Sequence, residues 1–273
     1  QLSSTRSWRS LWRHSEKDGQ PKSTVAGFSK QSRPNDLQQR FLLEPQARNF
    51  GGYGQVFLAS DKQVEGRTVA VKVLEGQSKR LTASFRDELQ ALTALDHPNI
   101  VRLHHGFQSG PGSSKSYHYL VLEHLAGGDT FDLLSTRGPL PEHFVSGIMR
   151  QVVSALEYAH GKGFAHRDVK PENICCCSLE KSTPLVKLID WGTSANFHAN
   201  AMTGIVGQPP YAAPEMFDGT YYTAACDMWS AGVTAYVLLS SKQPFWGTRQ
   251  QQLDAERAES FPLDHFNWSR STK

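Results

Sequence analysis

Eight consecutive residues, His166-Arg167-Asp168-Val169-Lys170-Pro171-Glu172-Asn173, constrain this chain more than any other stretch. They set a carboxylate, an ammonium and an amide (Asp168, Lys170 and Asn173) at fixed offsets. The set suits moving a phosphoryl group onto a hydroxyl. Asp168 can orient the hydroxyl and accept its proton, Lys170 can neutralise charge on the phosphate in flight, and Asn173 can hold a divalent cation. A fold carrying the set has to leave it open to a phosphate donor and an acceptor.

Other segments stand around it in a definite order. Upstream are Asn49-Phe50-Gly51-Gly52-Tyr53-Gly54-Gln55-Val56 and a β-branched run ending in lysine, Val69-Ala70-Val71-Lys72. Glu88 follows within Phe85-Arg86-Asp87-Glu88-Leu89, ahead of Asp96-His97-Pro98-Asn99-Ile100-Val101. Downstream are Lys187-Leu188-Ile189-Asp190-Trp191-Gly192, Ala213-Pro214-Glu215 and Cys226-Asp227-Met228-Trp229-Ser230-Ala231-Gly232. In this order the segments resemble the protein kinase family, whose signatures are G-x-G-x-x-G-x-V, the strand lysine, H-R-D-L-x-x-x-N, D-F-G and A-P-E. The resemblance covers roughly residues 41–268, and Lys-Pro-Glu-Asn is the serine/threonine form. Gly127 to Leu134, Phe217 to Tyr221, Cys226 to Val233 and Pro244-Phe245-Trp246-Gly247 look like the calmodulin- and calcium-dependent branch. No D-x-D-x-D-G loop with a terminal Glu is present, so any calcium control would need a segment outside this sequence.

Patterning agrees with what the resemblance implies, an α+β, two-lobed fold. Residues 41–122 read as a small antiparallel lobe with one main helix, and 126–273 as a larger, mostly helical lobe expected to stop before the family's last helices. Strands are expected at 56–59, 68–73 and 117–123. A helix is expected at 81–95, with Leu81, Phe85, Glu88, Leu89 and Leu92 near one face. The stripe Val145, Ile148, Met149, Val152, Leu156 and Ala159 predicts a helix over 141–160, and the apolar run 228–239 a buried one. Ile174-Cys175-Cys176-Cys177 reads as a short buried strand with cysteine as a small apolar residue.

The resemblance also implies roles. ATP would lie under Asn49, Phe50, Gly51, Gly52, Tyr53 and Gly54, where glycine lets backbone N–H groups approach phosphate. Lys72 would contact the α- and β-phosphates and pair with Glu88, since a lysine ending a buried strand is costly unless paired. Val56, Ala70 and Cys175 would sandwich the adenine, with Leu122 behind it. Glu123 and Leu125 would offer backbone hydrogen bonds, and Asp129 would reach the ribose. Asn173 and Asp190 would hold Mg²⁺, with Mn²⁺ the alternative ion. Trp191, at the phenylalanine of D-F-G, would stack with Leu92, Leu103 and His166. Glu172 and Asp129 match positions that bind arginine three residues before the phosphoacceptor, whereas Val237 replaces an acid used at −2. Three departures stand out: Asn49 at the first glycine, Trp191, and Gln208 for a threonine that bonds the catalytic aspartate and lysine. The usual activating phosphorylation position falls on Gly204. Glu215 would lack its arginine partner unless Arg270 or another group substitutes.

Two functions follow. The first is an ATP-dependent serine/threonine kinase moving the γ-phosphoryl group to protein hydroxyls, with a basic preference at −3. The alternative is a pseudokinase-like binding or scaffold module. The complete polar set Lys72, Glu88, Asp168, Lys170, Asn173 and Asp190 favours the enzyme. A dinucleotide-binding domain fails, because the glycine loop does not open a helix in a βαβ unit.

Residues 1–40 hold eight Lys/Arg against three Asp/Glu, while the whole chain carries +3. They read as a basic, largely disordered tail. Within it Trp8, Leu11 and Trp12 are spaced i, i+3, i+4 among arginines. That spacing suits a regulatory partner or membrane surface, or tryptophans docked on the body. Nothing points to nucleic acid, and no apolar run is long enough to span a bilayer. The opening Gln1-Leu2-Ser3-Ser4 lacks the apolar core of a signal peptide. Cys175, Cys176, Cys177 and Cys226 fit neither a zinc knuckle nor a disulfide framework, so free thiols and an intracellular, cytoplasmic setting are expected.

Overall fold

The computed structural model describes residues 36–51, 54–76, 78–108, 117–179, 184–245 and 254. The tryptophan-bearing stretch of the tail, Trp246, Gly247 and Arg270 lie outside the described residues.

Alternation builds the smaller lobe. Strands β1 (Phe41–Gly51), β2 (Gly54–Asp61), β3 (Thr68–Glu75), β4 (Leu103–Gln108) and β5 (Tyr117–Glu123) form one sheet in the order β1-β2-β3-β5-β4, every pair antiparallel. Successive side chains of a strand point to opposite faces. On β3, Val69, Val71 and Val73 therefore pack with Phe57, Tyr119 and Val121 on one face. Leu74 joins Leu120 and Phe85 on the other, and Lys72 shares that second face. Helix α2 (Lys79–Ala94) covers it. Ser78 caps the helix by accepting the Leu81 N–H at 3.2 Å, and Phe85, Glu88, Ala91 and Leu92 form its buried side. The period of two on β3 and of 3.6 on α2 thus aim Lys72 and Glu88 at each other.

Three elements departed from the sequence reading. A helix stands at Asp36–Arg40, ahead of the boundary at Phe41 read from composition. Helix α1 (Asp36–Arg40) buries Leu37 completely in the sheet core. Its Arg40 forks onto Asp61 at 3.2 and 3.1 Å and holds that carboxyl below the usual range. Strand β1 escaped notice because Pro45 interrupts it. Proline cannot donate to a ladder, and the pairing slips between Leu43 and Ala47, on an edge strand where that is tolerated. Strand β4, with two histidines and a glycine, has little strand signal of its own.

The larger lobe is helical. It contains α3 (Thr130–Arg137), α4 (Glu142–Gly161) and α5 (Ala225–Ser240). The predicted α4 stripe is buried at Val145, Ile148, Val152, Leu156 and Ala159, and packs against Ala231, Val237 and Leu238 of α5. On α5, Met228 is 45% exposed and Gly232 is exposed as well. Strand β6 (Phe164–Ala165) pairs with β9 (Ala195–Asn196), and β7 (Ile174–Cys176) with β8 (Val186–Leu188). The four cysteines are free thiols. Among the described residues, no helix is long and apolar enough to cross a membrane.

His118 is 1% exposed against the Phe85 ring, 4.6 Å away, and neither ring nitrogen has a hydrogen-bond partner in the protein. Burial pushes it below its ordinary value, toward the neutral form. An orphaned buried polar group costs about 1–3 kcal/mol. We expect His118→Leu to raise the melting temperature by about 2–4 °C in a thermal scan. A lower midpoint would show that the ring's shape outweighs its polarity.

Candidate active site

Strand pairing brings the metal-binding candidates together. Ile174 of β7 is registered with Leu188 of β8, and the next amide, Ile189 N–H, donates to the Asn173 carbonyl at 2.9 Å. Asn173 and Asp190 therefore emerge at the same end of this two-stranded pair. Asp190 adopts a left-handed backbone, φ +58°, which is uncommon outside glycine and concentrates at functional sites. That turn hands its carboxylate to Lys72.

The Lys72 ammonium sits between two carboxylates, 2.7 Å from Glu88 Oε2 and 2.7 Å from Asp190 Oδ1. Burial opposes its charge, but Asp190 and then Glu88 outweigh it and drive Lys72 above its ordinary value. Burial also opposes charge on Asp190, and Lys72 holds that carboxyl low all the same. Glu88 is pushed up by burial and by Asp190, against the pull of Lys72. The Ser84 hydroxyl donates to the Gly192 carbonyl at 2.8 Å, a second tie between α2 and the segment after Asp190.

The second cluster centres on Asp168. Lys170 Nζ lies 2.6 Å from Asp168 Oδ2. Asn173 Nδ2 donates to the Asp168 backbone oxygen at 2.8 Å and to its Oδ2 at 3.1 Å. Since that amide nitrogen is spent on Asp168, Asn173 keeps its side-chain oxygen for another group. The Asp168 N–H donates to His166 Nδ1 at 3.2 Å, so His166 carries its proton on Nε2, donated to the Ile189 carbonyl at 2.9 Å. Trp191 is fully buried, edge-on to His166 at 4.7 Å, packs in the core with Leu92 and Leu103, and donates its indole N–H to the Leu188 carbonyl at 3.4 Å.

Two groups act here through contacts that the sequence did not show. Asp227 on α5 is fully buried and accepts the backbone N–H groups of His166 and Arg167, at 2.8 and 2.7 Å, and contacts His160 Nε2 at 2.8 Å. The segment around Cys226-Asp227 was visible as a motif, but its target lies 60 residues away. Gln208 reaches Asp168 with its backbone N–H, 3.2 Å from Oδ1, and not with its side chain, whose Oε1 is buried without a partner. A Cβ on the preceding Gly207 would lie 2.6 Å from the Arg167 carbonyl and 2.8 Å from Asp168 Oδ1, so only glycine allows this approach.

Val56, Ala70, Leu122, Leu125 and Cys175 are all half-buried, and the sheet registers Ala70 against Leu122. The Glu123 N–H is taken by the Arg102 carbonyl at 3.0 Å, so Glu123 can offer only its carbonyl to a ligand. Its carboxylate turns away to Lys187 at 2.7 Å. Asp129 caps α3 by accepting the Asp132 N–H at 2.8 Å, and burial pushes its carboxyl up to about 6. Glu172 Oε2 is buried with no hydrogen-bond partner, and burial pushes Glu172 up as well. Of the glycine loop, β1 and β2 turn back with Gly51 opposite Gly54. Gly52, Tyr53 and the side chains of Asn49 and Phe50 lie outside the described residues.

Comparison with known proteins gives a consistent picture. The family model of the protein kinase domain matches residues 50–271. Calcium-dependent protein kinase 5 of Plasmodium berghei (strain Anka) is 33% identical over 238 residues, 86% of this chain and 41% of that protein. Calcium/calmodulin-dependent protein kinase type 1 of Macrobrachium nipponense is 34% identical over 220 residues, 80% of this chain and 62% of that protein. Calcium-dependent protein kinase 4 of Plasmodium falciparum (isolate 3D7) is 36% identical over 207 residues, 74% and 38% of the two chains. The chain thus spans between about two fifths and three fifths of the length of these relatives.

Proposed function

The chain belongs to the protein kinase family, and we propose that it transfers the γ-phosphoryl group of ATP to serine or threonine hydroxyls of protein substrates. The observation that carries this reading is the presence of two clusters held by one register. Lys72, Glu88 and Asp190 form one, and Asp168, Lys170 and Asn173 the other, joined through the Ile189 to Asn173 hydrogen bond. In this reading the half-buried apolar residues between the lobes take the adenine, with Asp129 at the ribose. Glu88 keeps Lys72 aimed at the α- and β-phosphates. Asp168 accepts the hydrogen bond of the substrate hydroxyl and takes its proton, and Lys170 balances charge on the transferred group. Asp190 and Asn173 offer hard oxygen donors that fit Mg²⁺. The ion, when bound, would neutralise phosphate charge.

For substrate choice, the buried and unpartnered Glu172 Oε2 supports a basic residue at −3, with Asp129 beside it. Burial pushes both carboxylates up, and Lys170, which pulls on Glu172, is already paired with Asp168 at 2.6 Å, so neither carboxylate has a cation to itself. An arginine fork would supply one. We expect a serine peptide with Arg at −3 to be phosphorylated from labelled ATP with a KM about tenfold below its Ala counterpart, and Glu172→Gln to erase most of that gap. Equal KM values for the two wild-type reactions would sink the −3 assignment. No transfer at all, with ATP still bound, would favour the scaffold alternative.

The preference carries a pH signature. Asp129 is raised to about 6, so it is protonated below that pH and ionised above it. Recognition of arginine needs the ionised form. The Arg-over-Ala ratio of kcat/KM is therefore expected to fall as pH drops from 8 to 5.5, and Asp129→Asn should flatten the profile.

A further inference from the structure

Arg167, next to the proposed base, has a guanidinium that donates to no serine or threonine hydroxyl among the described residues. Its Nε donates to the Thr193 carbonyl at 2.7 Å, its Nη2 to the Ser194 carbonyl at 3.2 Å, and its Nη1 to the Tyr222 hydroxyl at 3.4 Å. Tyr222 is 6% exposed. Its hydroxyl in turn donates to the Gly204 carbonyl at 3.1 Å, and its backbone N–H to the Met202 carbonyl at 3.2 Å. One phenol thus accepts from the arginine and donates to the segment following Asp190.

Gly204 makes this possible. Its φ is +73°, and an added Cβ would meet nothing within 4 Å. The requirement is conformational, not one of space: a left-handed residue is needed to turn the carbonyl toward Tyr222. Gln208, four residues on, places its N–H on Asp168. A continuous tether therefore runs from Arg167 through Tyr222 and Gly204 to the residue that touches the base. Asp87 of α2 lies near Arg167 too: burial pushes its carboxyl up, and the guanidinium pulls it back.

Segments of this kind are commonly ordered by a phosphate that pairs with an arginine. Here neutral oxygens already engage Nε, Nη1 and Nη2 of Arg167. We propose that Tyr222 is a positioning residue whose hydroxyl takes over that ordering, so the site reaches its catalytic arrangement with no phosphate on residues 193–204. This rests on the kinase reading above.

The test uses the whole chain and the variant Tyr222→Phe, which deletes one oxygen and keeps the buried ring. We expect its kcat for peptide phosphorylation to fall about tenfold with KM for ATP unchanged, and amide exchange over 202–208 to quicken about tenfold. Wild-type protein treated with a phosphatase, and Thr203→Ala, should keep full activity. Loss of activity on phosphatase treatment would overturn the proposal, as would a Tyr222→Phe kcat equal to that of the wild type. If the wild type transfers no phosphate, the kinase reading is at fault. The tether is then judged by exchange alone, where an unchanged rate over 202–208 overturns it and a faster one supports it.

Discussion

The Asp168→Asn variant is expected to transfer phosphate about 10²–10⁴ times more slowly than the wild type while binding ATP with unchanged affinity. The substitution keeps the shape of the side chain and removes only its capacity to take a proton and to carry charge. Three donors converge on the Asp168 carboxylate: Lys170 and Asn173 on Oδ2 and the Gln208 N–H on Oδ1. An asparagine oxygen can still accept from one side, but its amide nitrogen faces donors on the other. Lys170 is then left without its counter-charge where it should balance the transferred group. The nucleotide's proposed contacts, Lys72 with Glu88 and Asp190, form a separate cluster and do not depend on Asp168. Single-turnover transfer from labelled ATP, measured beside nucleotide affinity, separates the two effects. Transfer within threefold of the wild type would remove Asp168 from the role of base. A parallel loss of ATP binding would show that the substitution disturbs both clusters.

How much of this was legible in the sequence depends on how far apart the partners lie. Lys72 and Glu88 could be paired on paper because local periodicity aims both: alternation on β3 and a turn-by-turn stripe on α2. The Asp168, Lys170 and Asn173 set was legible because it falls within one six-residue span. Gln208 stood out in the sequence only as a departure from a threonine that bonds the catalytic aspartate and lysine; what the sequence did not show is that its backbone N–H reaches Asp168, because Gly207 lets the chain itself come close. Tyr222 carried no signal, since nothing in the pair Tyr221-Tyr222 reveals that the second hydroxyl lies between Arg167 and Gly204. Helix α1 was read as tail because polar composition hid one buried leucine and one arginine fork.

Asp227 is the case where a distant residue matters most, and its removal carries the largest expected effect on stability. The Asp227→Ala variant is expected to lose about 3–5 kcal/mol. Its carboxylate is fully buried, and it accepts the N–H groups of both His166 and Arg167 while facing His160 Nε2 at 2.8 Å. Alanine leaves those amides orphaned in a place that water does not reach, and each orphan is costly. Arg167 adds to the demand, because its φ of +67° is a conformation that only surrounding bonds can hold. The loss corresponds to a fall in melting temperature on the order of 10 °C. The effect should not stop at stability. His166 and Arg167 directly precede Asp168, so freeing their amides lets the proposed base drift while leaving Lys72, Glu88 and Asp190 in place. Below its new midpoint, the variant should therefore retain ATP and lose most of its turnover. Asp227→Asn keeps one accepting oxygen and should fall between the two. An alanine variant as stable as the wild type would show that α5 does not anchor the loop. One that is destabilised yet turns over normally at low temperature would show that the anchor serves folding alone.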